Sequence, residues 1–162
     1  MKKILIISDT HRYDDNFFRV MEKEAPVDLL IHCGDIEGSE ALYAENAHCP
    51  VHMVAGNNDF LSGLNREEEF MIGDYKVFLT HGHYYNISMG SDLLRLEAAE
   101  RGADIMIYGH THRPVVDMSK GIIALNPGSL TYPRQEGRRP SYIIMTLAED
   151  GNAEFEIRYL TH

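Results

Sequence analysis

Short apolar runs punctuate the first two-thirds of the chain: Ile4-Leu5-Ile6-Ile7, Leu29-Leu30-Ile31, Val51 to Val54, Val77-Phe78-Leu79 and Ile105-Met106-Ile107. Runs of this length, separated by segments of helical period, are the sequence form of buried strands in β-α-β units. Phe17, Val20 and Met21 fall at i, i+3, i+4 and give one buried face to a helix from about Asp14 to Lys23, with Pro26 closing the loop after it. Ser39 reads as the N-cap of a second helix ending near Asn46. Ser91 caps a third, running through Leu93, Leu94, Leu96 and Ala99 to a stop at Gly102.

Antiparallel pairing enters in the second half. Gly73-Asp74 and Ser119-Lys120-Gly121 lie at hairpin spacing between strand-like runs. A last hairpin, Ser141 to Leu147 and Ala153 to Leu160, turns through Ala148-Glu149-Asp150-Gly151-Asn152. An α/β fold with two sheets face to face and helices outside uses every element. The segment from Pro133 to Pro140 is expected to be the most mobile loop.

The polar residues that end the apolar runs change the picture from fold to chemistry. They are Asp9-Thr10-His11, Gly34-Asp35, Gly56-Asn57, His81-Gly82-His83 and Gly109-His110-Thr111-His112. Candidate metal ligands therefore collect at strand ends, where open α/β sheets form crevices. Asp9 with His11, His81 with His83, and His110 with His112 are i, i+2 pairs, which extended backbone projects to one side. Gly34, Gly56 and Gly109 mark places where the backbone must turn tightly beside a ligand. One such pair is weak evidence; five sites in one short chain are not. The nitrogen and oxygen donors suit manganese, iron, zinc, cobalt or nickel better than calcium.

Composition narrows the function further. The 162 residues, 44% hydrophobic, suit one domain spanning 1–162 with its own core. A net charge of −10 argues against a surface that grips a nucleic-acid backbone. No apolar stretch approaches the ~20 residues of a transmembrane helix, and the run after Met1-Lys2-Lys3 is too short for a signal-peptide core, so a cytoplasmic location and no membrane contact are expected. Cys33 and Cys49 lack CxxC spacing and read as reduced, buried thiols.

The order D-x-H, G-D, G-N, H-G-H, G-H-T-H resembles the calcineurin-like metallophosphoesterases, and within them the small YfcE-type bacterial and archaeal phosphodiesterases. The likeness spans Asp9 to about Tyr142 and includes Asn126-Pro127-Gly128-Ser129 and Pro140-Ser141-Tyr142. It implies a four-layer α/β/β/α sandwich of two facing mixed sheets. It also implies two divalent transition-metal ions, manganese foremost. One would take Asp9, His11 and His112 and the other Asn57, His81 and His110, with Asp35 bridging. A hydroxide shared by the two ions would then attack phosphorus in line. The substrate implied is a small phosphoester, with a homodimer compatible with the pattern.

One position departs from the wider superfamily. Where many members have a histidine after Gly-Asn, Gly56-Asn57-Asn58-Asp59 places an asparagine, whose amide cannot protonate a leaving group. Asn58 is then a candidate hydrogen-bond donor to a phosphate oxygen, and His83 a candidate substitute acid or a supporting hydrogen-bond partner. His32, inside an apolar strand on the face opposite Cys33, reads as a satisfied structural histidine; His48, His52 and His162 lie outside every motif, at surface or strand positions. Arg134, Arg138 and Arg139 read as a solvated loop, with phosphate contact as the lesser alternative.

Three other functions share the pattern. Phosphomonoester or nucleotide-polyphosphate hydrolysis would use the same centre, since loops and not metals choose the substrate. A protein-interaction scaffold, like the phosphoesterase-like subunit of retromer, would keep the fold, but that protein departs at the positions matching Asp35 and Asn57, which are intact here. A nuclease would need a basic surface that this chain lacks.

Overall fold

The computed structural model describes residues 1–161, so the reading of His162 lies outside the described residues. In chain order the elements are β1 (Lys2–Ile7), α1 (Asp15–Glu24), β2 (Leu29–His32), α2 (Glu40–Asn46), β3 (Val51–Met53), β4 (Glu67–Ile72) and β5 (Tyr75–Thr80). Two 3₁₀ turns, His83–Tyr85 and Ile87–Met89, lead to α3 (Asp92–Glu100), β6 (Ile105–Ile107), β7 (Pro114–Asp117), β8 (Ile123–Pro127), β9 (Ser141–Leu147) and β10 (Ala153–Tyr159). The strands form two mixed five-stranded sheets, ordered β10-β9-β1-β2-β3 and β4-β5-β6-β8-β7. Within them β1, β2 and β3 run parallel, as do β5, β6 and β8. The hairpins at Gly73-Asp74, Ser119–Gly121 and 148–152 supply the antiparallel neighbours.

Period-two alternation explains why the central strands are apolar on both faces. Ile4 and Ile6 of β1, with Ile143 and Met145 of β9, point inward and meet Val77, Leu79, Ile105, Ile107 and Leu125 of the second sheet. Their neighbours Leu5, Ile7 and Ile144 face outward, against Phe17 and Val20 of α1 and Tyr43 of α2. On the far side Phe78, Met106 and Ala124 pack on Leu94 and Ala98 of α3. The result is α/β/β/α, the four-layer sandwich that the resemblance implied. Each fully buried Ile or Leu in these layers contributes about 1.5–3 kcal/mol of transfer free energy.

The helix starts differ from the sequence reading. Ser39 and Ser91 precede their helices, but neither side chain caps the helix. Ser39 Oγ instead donates to Asp14 Oδ2 at 2.8 Å, beside the Tyr43 hydroxyl on Asp14 Oδ1, so one carboxylate ties the starts of α1 and α2 together. Leu93 and Leu96, leucines of the third helix, face outward at 54% and 63% exposure, because only the Leu94–Ala98 stripe meets the sheet.

Helix α1 is pinned at its other end by Glu24, which is 2% exposed. Its carboxylate accepts from the Tyr142 hydroxyl at 2.6 Å and from Arg158 Nη1 at 2.6 Å, with Lys3 Nζ at 2.9 Å. Burial would raise its pKa, but Tyr142, Lys3 and Arg158 together hold it down to about 2. A depressed carboxylate pKa contributes stability that is present above the usual 4.5 and lost as pH falls through about 2. Glu24→Gln should therefore cost about 2 kcal/mol at neutral pH, discounted for the partly exposed Lys3 and Arg158. The difference from wild type should shrink between pH 4.5 and 2, as urea unfolding across that range would show.

Candidate metal centre

Five strand ends deliver the candidate ligands to one edge of the sandwich: β1 leads to Asp9 and His11, β2 to Asp35, β3 to Asn57, β5 to His81, and β6 to His110 and His112. The chain does not leave these strands in extended form. Asp9, His11, Asp35, His110 and His112 have φ of 54°, 48°, 60°, 72° and 60°, in the left-handed region. This corrects the expectation that i, i+2 pairs share a side through strand geometry. His110 and His112 enter different groups, whereas Asp9 and His11, equally left-handed, share one.

The first group is Asp9, His11 and His112; the second is Asp35, His81 and His110; within each, one ligand atom per residue lies within 4.8 Å of the others. In the first, His11 Nε2 faces His112 Nε2 at 3.3 Å, and His112 Nε2 lies 3.2 Å from Asp9 Oδ1. In the second, His110 Nδ1 faces His81 Nε2 at 3.2 Å, and His81 Nε2 lies 3.4 Å from Asp35 Oδ2. Asp35 Oδ2 is also 3.8 Å from His11 Nε2, which places that carboxylate between the groups.

Ring orientation shows what these atoms are for. His81 Nδ1 donates to the Cys33 carbonyl and His112 Nδ1 to the Tyr132 carbonyl, each at 2.7 Å. His11 Nδ1 lies 2.9 Å from Glu37 Oε2. Three imidazoles thus spend their Nδ1 protons on oxygen acceptors, and their Nε2 lone pairs converge. Asp9 Oδ1 is buried with no hydrogen-bond partner. Facing lone pairs and an orphaned carboxylate oxygen repel one another unless a cation sits between them, so the donor set fits divalent ions of the nitrogen- and oxygen-binding type.

The electrostatics agree. Burial opposes ionisation of Asp9 and Asp35, yet His81 beside both, His112 beside Asp9 and Asn58 beside Asp35 hold them below the usual carboxylate range. Burial likewise opposes a charge on His81, and Asp9 and Asp35 reverse that and lift it to about 9, so without a cation a proton on Nε2 answers their charge, and a bound ion would displace it. His110 is pushed down by burial and by His81.

The supporting frame includes a residue that the sequence reading quoted without giving it a role. Asp59, 4% exposed, accepts from the backbone N–H of Asp35 at 2.7 Å, Glu37 at 2.8 Å, Gly56 at 2.9 Å and Ile36 at 3.1 Å. One carboxylate therefore fixes the loops carrying Asp35 and Asn57. Its position at the end of Gly56-Asn57-Asn58-Asp59, the one acid in that polar turn, was the available signal. Ser129 Oγ donates to the Asp9 carbonyl at 2.7 Å, and Asn126 Nδ2 to Thr111 Oγ1 at 2.9 Å, so the Asn126–Ser129 segment braces the Asp9 and His110 loops. Gly34 does turn with φ 107°, and a Cβ there would lie 2.7 Å from His81 Nδ1. Gly109 is required for a different reason, since a Cβ would meet Asp9 Oδ2 at 2.8 Å without any left-handed turn.

Of the remaining candidates, Asn57 is exposed and lines a cavity with His83, Phe60, Arg66 and Tyr84. Asn58 donates its backbone N–H and its Nδ2 to the two Asp35 oxygens, both at 3.0 Å. The His83 ring lies 5.3 Å from that of His81, with its Nδ1 buried and unpartnered; burial and then His81 and His110 hold its pKa down to about 4. His32 is fully buried and satisfied, Nδ1 accepting from Gly34 N–H at 3.1 Å and Nε2 donating to Thr10 Oγ1 at 3.0 Å. His52 stacks on Phe70 and contacts Glu68, and His48 is exposed. Both cysteines are free, Cys33 in the inter-sheet core.

Two facing mixed sheets with paired Asp/His triads at their shared edge are the architecture of a metallophosphoesterase. Residues 1–150 match the calcineurin-like phosphoesterase superfamily domain, and the chain belongs to that family. It is 37% identical over 148 residues to the probable metallophosphoesterase YsnB of Bacillus subtilis, covering 91% of this chain and 85% of that one. It is 32% identical to phosphodiesterase MJ0936 of Methanocaldococcus jannaschii, covering 78% and 82%. A single-substitution form of Vps29 from Entamoeba histolytica superposes with a TM-score of 0.77 over 98% and 99% of the two chains; at 24% identity that likeness shows the fold alone.

If Asp59 organises the ligand loops, Asp59→Asn should turn an amide toward backbone donors and cost about 2–4 kcal/mol. Bound-metal stoichiometry should fall with it. Thermal unfolding together with elemental analysis of manganese-loaded protein checks both; full metal occupancy in a destabilised variant would restrict Asp59 to stability.

Proposed function

We propose that this metallophosphoesterase is a two-cation phosphodiesterase acting on a small or activated phosphoester. The observation that carries it is the convergence of the His11, His81 and His112 Nε2 atoms on Asp9 and Asp35, each Nδ1 already held by an oxygen. Asp9, His11 and His112 would hold one ion and His81 and His110 the other, with Asp35 between and Asn57 as the further oxygen donor. Ions there, manganese foremost, would acidify a water for in-line attack on phosphorus and neutralise the phosphoryl oxygens. MJ0936, named a phosphodiesterase, supports the diester assignment over the monoester one.

The chain's own residues set the rest of the chemistry. Asn58 is occupied in orienting Asp35 and has no acidic proton to give, so it positions the bridging carboxylate and leaves the departing oxygen to solvent. Diesters with acidic leaving groups should therefore react faster than alkyl ones, in a rate series ordered by leaving-group pKa. A flat series would require a proton donor at this site.

The central test is hydrolysis of bis-p-nitrophenyl phosphate with manganese. His110→Ala should lower kcat/KM by roughly a hundredfold or more, and chelation should abolish turnover. Undiminished activity in either case would defeat the mechanism. The scaffold alternative draws on the exposed Met89, Leu93 and Leu96; it would be favoured if the protein took up no metal at micromolar supply.

A further inference from the structure

On the His11–His112 side of the centre lies an open cavity of about 690 Å³ lined by His11, His112, Arg113, Tyr132, Arg134 and Arg138. Among the described residues no carboxylate lines it. Elsewhere Arg95 pairs with Asp117 at 3.1 Å, Arg101 with Glu67 and Glu97 at 2.9 Å each, and Arg158 with Glu24 at 2.6 Å, while Arg19, Arg66 and Arg139 are held by carbonyl, amide or aromatic partners. Among the described residues Arg113, Arg134 and Arg138 make no ion pair. In a chain of net charge −10, three unpaired guanidiniums gathered beside two ligand histidines form a local reversal of charge.

The loop that presents them is built onto the centre. His112 Nδ1 donates to the Tyr132 carbonyl at 2.7 Å, and Arg134 N–H returns a bond to the His112 carbonyl at 3.0 Å. Thr131 Oγ1 donates to the Thr10 carbonyl at 2.8 Å, and Tyr132 N–H to Ser129 Oγ at 2.8 Å. Across the loop, Gln135 Nε2 reaches the Arg139 carbonyl at 2.6 Å, and Arg138 N–H the Gln135 carbonyl at 3.0 Å. The Arg134 backbone is thus tied to His112 and that of Arg138 to Gln135 in the same loop, while Arg139 turns away over the Tyr159 ring. The opposite flank differs in character, with exposed Phe60 and Tyr84 and Arg66 stacked 4.3 Å from the Tyr84 centroid.

We propose that Arg113, Arg134 and Arg138 form a subsite for a second phosphoryl group of the substrate, one that is bound and not cleaved. The inference rests on the phosphoesterase reading of the adjacent centre. Guanidinium forks match phosphate oxygens geometrically, and three of them suit a phosphate dianion better than a single carboxylate. The substrate class is then a phosphoester carrying a further phosphate on its retained arm, seated against Tyr132.

Binding to manganese-loaded protein tests this without turnover. By calorimetry, thymidine 3′,5′-bisphosphate should bind roughly tenfold or more tightly than thymidine 5′-monophosphate. In an Arg134→Gln/Arg138→Gln variant the two affinities should come within about twofold of each other. These side chains are solvent-facing, and a thermal melt matching wild type confirms an intact fold. A ratio near one in wild type, or one unchanged in the variant, overturns the proposal. So does equally tight binding of a 3′-succinyl ester of the monophosphate, which would assign the subsite to carboxylates. Hydrolysis of bis-p-nitrophenyl phosphate, which has no second anion, reports separately on the phosphodiesterase reading.

Discussion

A left-handed backbone at five candidate ligand residues is the constraint around which the structure is arranged. Asp9, His11, Asp35, His110 and His112 all carry a Cβ into a region that costs roughly 1 kcal/mol or more per residue. Such residues persist only where their surroundings over-determine them. Here the surroundings are visible: the Asp9 and His11 amides bond the Gly34 and Asp35 carbonyls at 3.0 and 2.9 Å, continuing the β1–β2 pairing past the end of the sheet. Asp59 gathers the amides on the other side of Asp35, and Ser129 holds the Asp9 carbonyl. Two sheets packed face to face provide the rigid platform from which these short loops can be turned so sharply.

The same hydrogen bonds that hold the loops also set the chemistry. A histidine whose Nδ1 proton is committed to a carbonyl has one lone pair left, and its direction is decided by the backbone supplying that carbonyl. Cys33, a residue of the inter-sheet core, thereby orients His81, and the Tyr132 carbonyl orients His112. Packing is thus transmitted to ligand geometry. The close approach at Gly34 belongs to this logic, because any side chain there would displace the His81 ring.

Much of this was legible in the sequence, for reasons that differ by feature. The strands and helices follow from local period, and two facing sheets were the arrangement that used all of them. The candidate ligand residues stood out because strand-terminal His and Asp repeat too often for chance. Their geometry was not. The expectation of i, i+2 pairs sharing a side assumed extended backbone, and nothing in Gly109-His110-Thr111-His112 announces that a non-glycine residue will turn left-handed. Asp59 escaped a role because its partners are backbone amides of residues 35 to 37, contacts that leave no side-chain pattern. Arg134 and Arg138 are exposed, as their solvated-loop reading expected, but their nearness to His112 depends on where residues 131–139 dock. The third helix was legible as a helix, but periodicity does not say which of its leucines the sheet will cover, and only the Leu94–Ala98 stripe meets it.

On the proposed reading, charge distribution would give the site its selectivity. A net charge of −10 repels long polyanions at a distance, whereas the metal-binding edge concentrates the exceptions, with Arg66 on one flank and Arg113, Arg134 and Arg138 on the other. Screening confines each of these fields to about 8–10 Å at physiological salt. A small phosphoester can lie wholly within the cationic zone, but a nucleic acid would extend across the acidic surface and meet repulsion along its length. Shallow flanks of opposite character, guanidinium-lined beside His112 and aromatic beside His83, further mean that the two arms of a diester are not equivalent here. The orientation of the scissile bond between the ions would then be chosen by the arms before any metal chemistry begins.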